Sequence, residues 1–267
     1  MIEWPGARCR AIIENMRISD HCYVVTGLGY VSPWCVNAGF IVGDETTMIV
    51  DTGGNSLAAQ TIHGYASAVR PGNRLTVINT EGHFDHIGGN GYFRSLGVDV
   101  WGHAGIRRTA EEFRAELAEF NESIGNPSRR ARFEEKAFFY QTQLTNPNCP
   151  IENEISFDLG GRCVEILLTP GHTKQNLSVW LPDERVLFTG DCLIREYLPN
   201  LDAGTVTDWE RWLESLGRIE QLGARVVVGG HGPISRENEI AAAFDSMRQV
   251  LRDSIQRGYS PTSSSRS

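Results

Sequence analysis

The sequence predicts a layered α/β domain, and three observations carry that reading. Short β-branched apolar runs recur along most of the chain and alternate with stretches of helical composition, the order of a sheet covered by helices. Many of these runs end in polar loops containing glycine, such as Asp51-Thr52-Gly53-Gly54 and Gly229-Gly230-His231-Gly232. At 267 residues the chain is long enough for one large domain and short for two.

Residues 1–20 read as an edge strand or short helix with no identifiable chemistry, and Cys22 to Val25 as the first strand. Val36–Val42 and Met48–Asp51 form two β-rich runs across the polar turn Gly43-Asp44-Glu45, which predicts a hairpin. Ser56 to Arg70 has helical composition and stops before Pro71-Gly72. Leu75–Asn79 is the next strand, followed by a loop, a short helix over Asn90–Leu96 and a strand at Val98–Trp101. Between about residues 105 and 143 the pattern changes to two charged helical stretches around Gly125-Asn126-Pro127-Ser128. Phe113, Leu117 and Phe120, then Phe133, Ala137 and Phe138, recur there at helical spacing. The segment is either a helical hairpin packed on the body or a lid over a site.

The second half opens with Glu152–Phe157 and Cys163–Leu168, a hairpin turning near Gly160-Gly161. Leu177–Leu181 and Arg185–Phe188 form another, around Pro182-Asp183-Glu184, and end in Thr189-Gly190-Asp191-Cys192. A helix over Thr207–Leu222, a strand over Arg225–Val228 and a helix over Arg236–Gln256 complete the body. Residues 1–259 are expected to form one domain. The Ser-rich tail, 260–267, is expected to be disordered.

A hydrophobic fraction of 40% and a charged fraction of 22% are those of an ordinary globular chain, and no run reaches the roughly 18 apolar residues of a membrane span. The first twenty residues interleave charges with apolar residues and lack a signal-peptide core, so the expected location is cytoplasmic. Net charge is −8 with no basic run, which argues against nucleic acid or an anionic membrane as partner. The six cysteines are scattered without a CxxC pair and read as reduced thiols. Only Cys192 has neighbours that raise a functional question.

The chemistry concentrates at Asn79-Thr80-Glu81-Gly82-His83-Phe84-Asp85-His86, a strand-to-helix loop carrying two carboxylates and two imidazoles within six residues. These are the usual oxygen and nitrogen ligands of zinc and related metals. His172, Asp191 and His231 each follow a glycine at a predicted strand end, where the small residue allows close approach of the backbone. Four of the seven histidines, His83, His86, His172 and His231, lie in these segments. His21, His63 and His103 have no such setting and read as ordinary core or surface residues.

With these segments in view the chain resembles the metallo-β-lactamase superfamily, from the Asn37 hairpin to the last helix. The family motif His-x-His-x-Asp-His reads here as Glu81-Gly82-His83-Phe84-Asp85-His86. Its later single ligands match His172 in Pro-Gly-His-Thr, Asp191 in Thr-Gly-Asp and His231 in Gly-Gly-His-Gly. The resemblance implies a four-layer αββα sandwich. It also implies two zinc ions, with Mn or Fe as alternatives: one held by Glu81, His83 and His172, the other by Asp85, His86 and His231, with Asp191 able to bridge. A hydroxide held between the metals would then be the nucleophile, Asp85 would orient it, and Asp51 would support a ligand or the motif backbone through a hydrogen bond.

Glu81 departs from the family, which usually has His there. A carboxylate can ligate zinc, adds a negative charge and favours harder ions. The expectation is a retained ligand, against the alternative that Glu81 swings away and leaves one metal. The stretch after Asn176 resembles the β-lactamases of the superfamily more than its nucleases, which makes Arg195 and Asn200 candidates for substrate contact. Cys192 is expected to be a buried, inert thiol. The expected function is that of a metal-dependent hydrolase that opens a small lactam, lactone or ester. The alternatives are a glyoxalase-II-like thioesterase and a member that binds a metal or ligand without catalysis. The implied partner is a small molecule, and the sequence is silent on oligomeric state.

Overall fold

The structure, a computed structural model, describes residues 16–28, 36–123, 142–195, 198–201 and 204–258, without the side chains of 120–123. Two six-stranded sheets face each other. The first runs in simple order: β1 (Cys22–Val25), β2 (Ala38–Val42), β3 (Thr46–Val50), β4 (Arg74–Ile78), β5 (Val100–His103) and β6 (Cys149–Ile151). In the second, the spatial order β12-β11-β10-β9-β8-β7 joins β7 (Ile155–Asp158), β8 (Cys163–Leu168), β9 (Leu177–Leu181), β10 (Val186–Ile194), β11 (Val226–His231) and β12 (Ser235–Arg236). Hairpins build the antiparallel part of each sheet. The β3–β4, β4–β5, β5–β6 and β10–β11 pairs are parallel.

Strand alternation explains the layering. In β9, Leu177, Val179 and Leu181 point into the core between the sheets with Ile41, Met48, Val50, Ile78 and Val228. Trp180 of the same strand points the other way, onto α5 (Val206–Glu220) and α6 (Asn238–Arg257), beside Trp209, Trp212, Phe244 and Leu251. Phe40, Ile49 and Val77 of the first sheet likewise turn outward onto Ala59, Ile62 and Ala66 of α1 (Ser56–Val69) and Phe93 of α3 (Asn90–Ser95). Both faces of each sheet are therefore covered, which is why β2 and β9 are buried at every position. The αββα sandwich implied by the resemblance is the architecture observed.

Several boundaries differ from the sequence reading. β10 does not stop at Phe188 but continues through Asp191 to Ile194: register shifts fall between Phe188 and Gly190 and between Gly190 and Ile194, and pairing with β11 is kept at Gly190↔Gly229 and Ile194↔His231. Asp191 thus stands on an irregular strand rather than in a loop, with Gly190 at φ 52° supplying the bend. The short edge strands β6 and β12 have no sequence signal of their own and exist through pairing with β5 and β11. Within the inserted region, α4 (Ala110–Ser123) is a helix that buries Phe113 and Leu117 against Phe84 and Ile87 of the one-turn helix α2 (Phe84–Ile87). The break at 125–128, the second stretch with Phe133, Ala137 and Phe138, and the tail at 260–267 lie outside the described residues. No helix among the described residues is long and apolar enough to cross a membrane.

Candidate metal centre

Five chain segments meet where strands of both sheets end. From the first sheet come Asp51 after β3 and the loop from Asn79 to His86 after β4. The second sheet contributes His172 in the loop after β8, Asp191 inside β10 and His231 as the last residue of β11. Backbone bonds stitch the halves together there. Leu177 N–H donates to the Thr80 carbonyl at 2.6 Å, and Asn37 N–H to the Gly230 carbonyl at 2.7 Å. The Asn37 side chain also donates to the carbonyls of Gly229 and Gly232, which fixes the turn around His231.

All seven side chains that the resemblance names as ligands come together. Donor atoms from Glu81, His83 and His172 lie within 4.8 Å of one another, as do those from Asp85, His86 and His231, and from Glu81, His86 and Asp191. Glu81 Oε1 is 2.7 Å from His83 Nδ1 and 3.3 Å from His86 Nε2. Asp85 Oδ2 stands 3.2 Å from His231 Nε2. Asp191 Oδ1 is 3.4 Å from His86 Nε2 and 3.5 Å from His231 Nε2, while its Oδ2 faces His172 Nε2 at 3.8 Å.

The arrangement fits a divalent cation on grounds internal to this chain. Asp51, buried and held at φ 60°, accepts from Thr80 N–H and Thr80 Oγ1, both at 2.7 Å, and from His86 Nδ1 at 2.9 Å. With Nδ1 bonded to Asp51, His86 turns Nε2 towards the carboxylates of Glu81 and Asp191, a place that calls for positive charge, either a proton on the imidazole or a bound cation. Glu81 Oε2, His86 Nε2 and Asp191 Oδ1 are buried without a hydrogen-bond partner among the described residues. Buried polar atoms left this way cost about 1–3 kcal/mol each, a cost that a bound ion removes.

Ionisation follows the same logic. Burial opposes the charged forms of Glu81, Asp85 and Asp191, but the surrounding imidazoles outweigh it and hold all three carboxyls below their ordinary values, Asp191 well below. Burial likewise works against the cation of His83, yet the Glu81 carboxylate raises it to about 9. His86 and His231 are raised well above the usual imidazole value by Asp51, Asp85 and Asp191 against the same burial penalty. Burial wins only at His172, which is lowered. Without a metal this cluster holds protons; with one, the cation takes their place.

The other named candidates are not among the grouped donor atoms, although the Arg195 backbone N–H reaches the His231 carbonyl at 3.5 Å. The Arg195 guanidinium donates to Ser235 Oγ at 3.1 Å and pairs with Glu239 at 3.5 Å, and Asn200 is exposed. Cys192 is fully buried among Trp209, Trp212 and Leu216, with its thiol pushed up chiefly by burial, as expected of an inert thiol. His21 contacts Glu184 and His63 bonds Tyr92 at 2.8 Å, both outside the cluster. Several supporting residues had no recognisable sequence signal. Asn79 donates to the His86 carbonyl and exchanges bonds with Asn90. Arg108 donates to the Gly82 carbonyl at 3.0 Å and pairs with Glu116 at 2.7 Å. These are polar residues at ordinary positions, and only the fold shows that they brace the motif.

Comparison with known proteins agrees with this geometry. A family profile described as the metallo-beta-lactamase superfamily matches residues 32–231. A metallo-beta-lactamase type 2 from Bacteroides fragilis is 24% identical over 227 residues, 82% of this chain and 79% of its own length. An atrochrysone carboxyl ACP thioesterase from Aspergillus fumigatus is 32% identical over 103 residues, 38% of this chain. The chain spans only 28% of that thioesterase, and another curated relative is spanned over 25% of its length. Among solved structures, a metallo-beta-lactamase family protein from Thermus thermophilus superposes with a TM-score of 0.68 at 23% identity, covering 90% of this chain and 82% of that one.

Proposed function

Because the chain belongs to the metallo-beta-lactamase superfamily, we propose that it is a metal-dependent hydrolase of a small lactam, lactone or ester, with two divalent ions, zinc first, at the cluster. The observation that carries this reading is the convergence of Glu81, His83, Asp85, His86, His172, Asp191 and His231 from strands of both sheets, with buried atoms among them that have no partner among the described residues. Membership supports hydrolase chemistry in general. The near full-length similarity to the Bacteroides enzyme favours a lactam or a related cyclic substrate.

A bound divalent ion supplies Lewis acidity and brings the pKa of a water it holds towards neutrality. The remaining work belongs to the chain. The side chains of Glu81 and His86 are fully buried, whereas His83 is 33% and Asp85 16% exposed, so substrate approaches over His83 and Asp85. Asp85 is then the carboxylate placed to accept a proton from the attacking water and to orient it. Asp51 holds His86 in one tautomer, and Thr80 holds Asp51. Arg195 meets a substrate carboxylate only by exchanging its bonds to Ser235 and Glu239, so we assign it a secondary role, and the exposed Asn200 is kept as a candidate substrate contact.

A thioesterase is the second reading, supported by the partial match to the fungal thioesterase. Purified protein assayed on a panel of lactams, lactones, esters and thioesters, with bound metal measured in parallel, tests both. Hydrolysis abolished by chelation and restored by zinc is the expected result, and the preferred arm of the panel names the substrate class. Full activity in Asp85→Asn would overturn the assigned mechanism. Metal retained with no hydrolysis across the panel would instead support a binding-only member.

A further inference from the structure

The residue that departs from the family motif belongs to two of the three ligand groups, as does His86. Glu81 contributes a donor atom both to the group with His83 and His172 and to the group with His86 and Asp191. Its Oε1 lies 2.7 Å from His83 Nδ1 and 3.3 Å from His86 Nε2, and its Oε2 is buried without a partner among the described residues. The side chain is fully buried. We propose that the Glu81 carboxylate bridges the two candidate metal positions, so that the ions bind as a pair rather than one after the other.

The chemistry of the replacement supports this. The two nitrogens of an imidazole diverge, so a histidine at this position serves one ion and turns its other nitrogen away. A carboxylate has four lone-pair sites on two oxygens and can serve both. Asp191 already spans the cluster, with Oδ1 towards His86 and His231 and Oδ2 towards His172. With Glu81 and Asp191 both within reach of His86, two carboxylates would share the bound ions, and the partly exposed Asp85 would add a third negative charge. Two divalent cations close together in a buried site repel strongly. Carboxylates between them offset that repulsion, and the second ion then gains from the first. Oxygen donors in place of nitrogen also move the preference towards harder ions such as Mn(II). The Glu81 side chain is fully buried and bonded to His83, which disfavours the alternative in which it swings away and leaves one metal.

The proposal rests on the metal-centre reading above, and a titration separates the two. Chelator-stripped wild type is titrated with Mn(II) alone and followed by electron paramagnetic resonance. At one equivalent the expected wild-type spectrum is that of coupled pairs, with little isolated-ion signal. Glu81→Gln and Glu81→His are expected to show isolated ions at one equivalent and a second ion weakened by about 10–100-fold. Isolated ions in wild type at one equivalent, or pairing in Glu81→Gln as tight as in wild type, would overturn the bridge. A single ion per wild-type chain also overturns it but leaves the metal centre standing, whereas no bound ion at all removes both. Circular dichroism melting of the stripped proteins checks folding. Should one variant not fold, the other variant and the wild-type titration still decide.

Discussion

Asp51 sits on a left-handed backbone at the end of β3, a conformation that costs a non-glycine residue about 1–2 kcal/mol. Its carboxylate recovers that cost by accepting two bonds from Thr80 and one from His86. Replacing it with alanine strands three buried donors. Asp51→Ala is therefore expected to lose about 3–5 kcal/mol in chemical denaturation, and to weaken metal binding about 10–100-fold in a chelator competition. Asp51→Asn keeps an acceptor oxygen and should lose less stability while still weakening the metal. Equal effects of the two would show that the charge at this position is irrelevant. Asp51 was legible in the sequence only through the resemblance, and its three donors only through the fold. The same division holds for Arg195, whose sequence position gives no hint that Ser235 and Glu239 occupy its guanidinium.

Between residue and molecule, the elements that brace the site come from opposite halves of the chain. Gly230 in β11 packs so closely on β10 that a Cβ there would overlap the Asp191 carboxylate. Gly230→Ala should displace Asp191, cutting metal affinity and hydrolysis together and lowering the melting temperature. Gly64, in the middle of α1, meets nothing within 4 Å. Gly64→Ala should therefore stabilise the protein by about 0.5–1 kcal/mol through helix propensity, with the metal site unchanged. A melting curve of each, beside metal analysis, checks the contrast. In the inserted region, α4 seats Phe113 and Leu117 on the motif helix, while Arg108 and Glu116 hold the Gly82 carbonyl side. Phe113→Ala is expected to cost about 3–5 kcal/mol. If denaturation shows the loss while metal affinity stays unchanged, α4 is a cover and not a brace. The helical spacing of Phe113 and Leu117 was visible in the sequence. Their partner surface, Phe84 and Ile87, was not, because pairing across the chain leaves no local pattern.

At the scale of the whole molecule the cluster makes stability depend on pH and on metal together. His83 rises from 6.5 to about 9 on folding in the metal-free protein. Its contribution is therefore complete below 6.5 and is lost as pH rises through 9. Glu81, Asp85 and Asp191 are lowered, so their contribution is present above the ordinary carboxyl range and is lost on acidification. His172, lowered by burial, opposes the trend of His83 and softens it. The metal-stripped protein should thus melt at a lower temperature at about pH 9 than at about pH 6. Because the ions displace protons from the imidazoles, adding zinc should raise the melting temperature more at the higher pH than at the lower. An equal gain at both would mean that the histidines are not the ligands. By itself the sequence determined the layered α/β class, the order of most strands and helices, and the ligand-type residues of the candidate site. Alternating apolar runs, glycines beside strand ends and ligand-type side chains are local features that can be read along the chain. The tertiary structure decided which faces were covered, how β10 bends to present Asp191, what braces the motif, and that Glu81 reaches His83 on one side and His86 on the other. These depend on contacts between residues distant in sequence, and packing two sheets face to face is what brings them within a few ångströms.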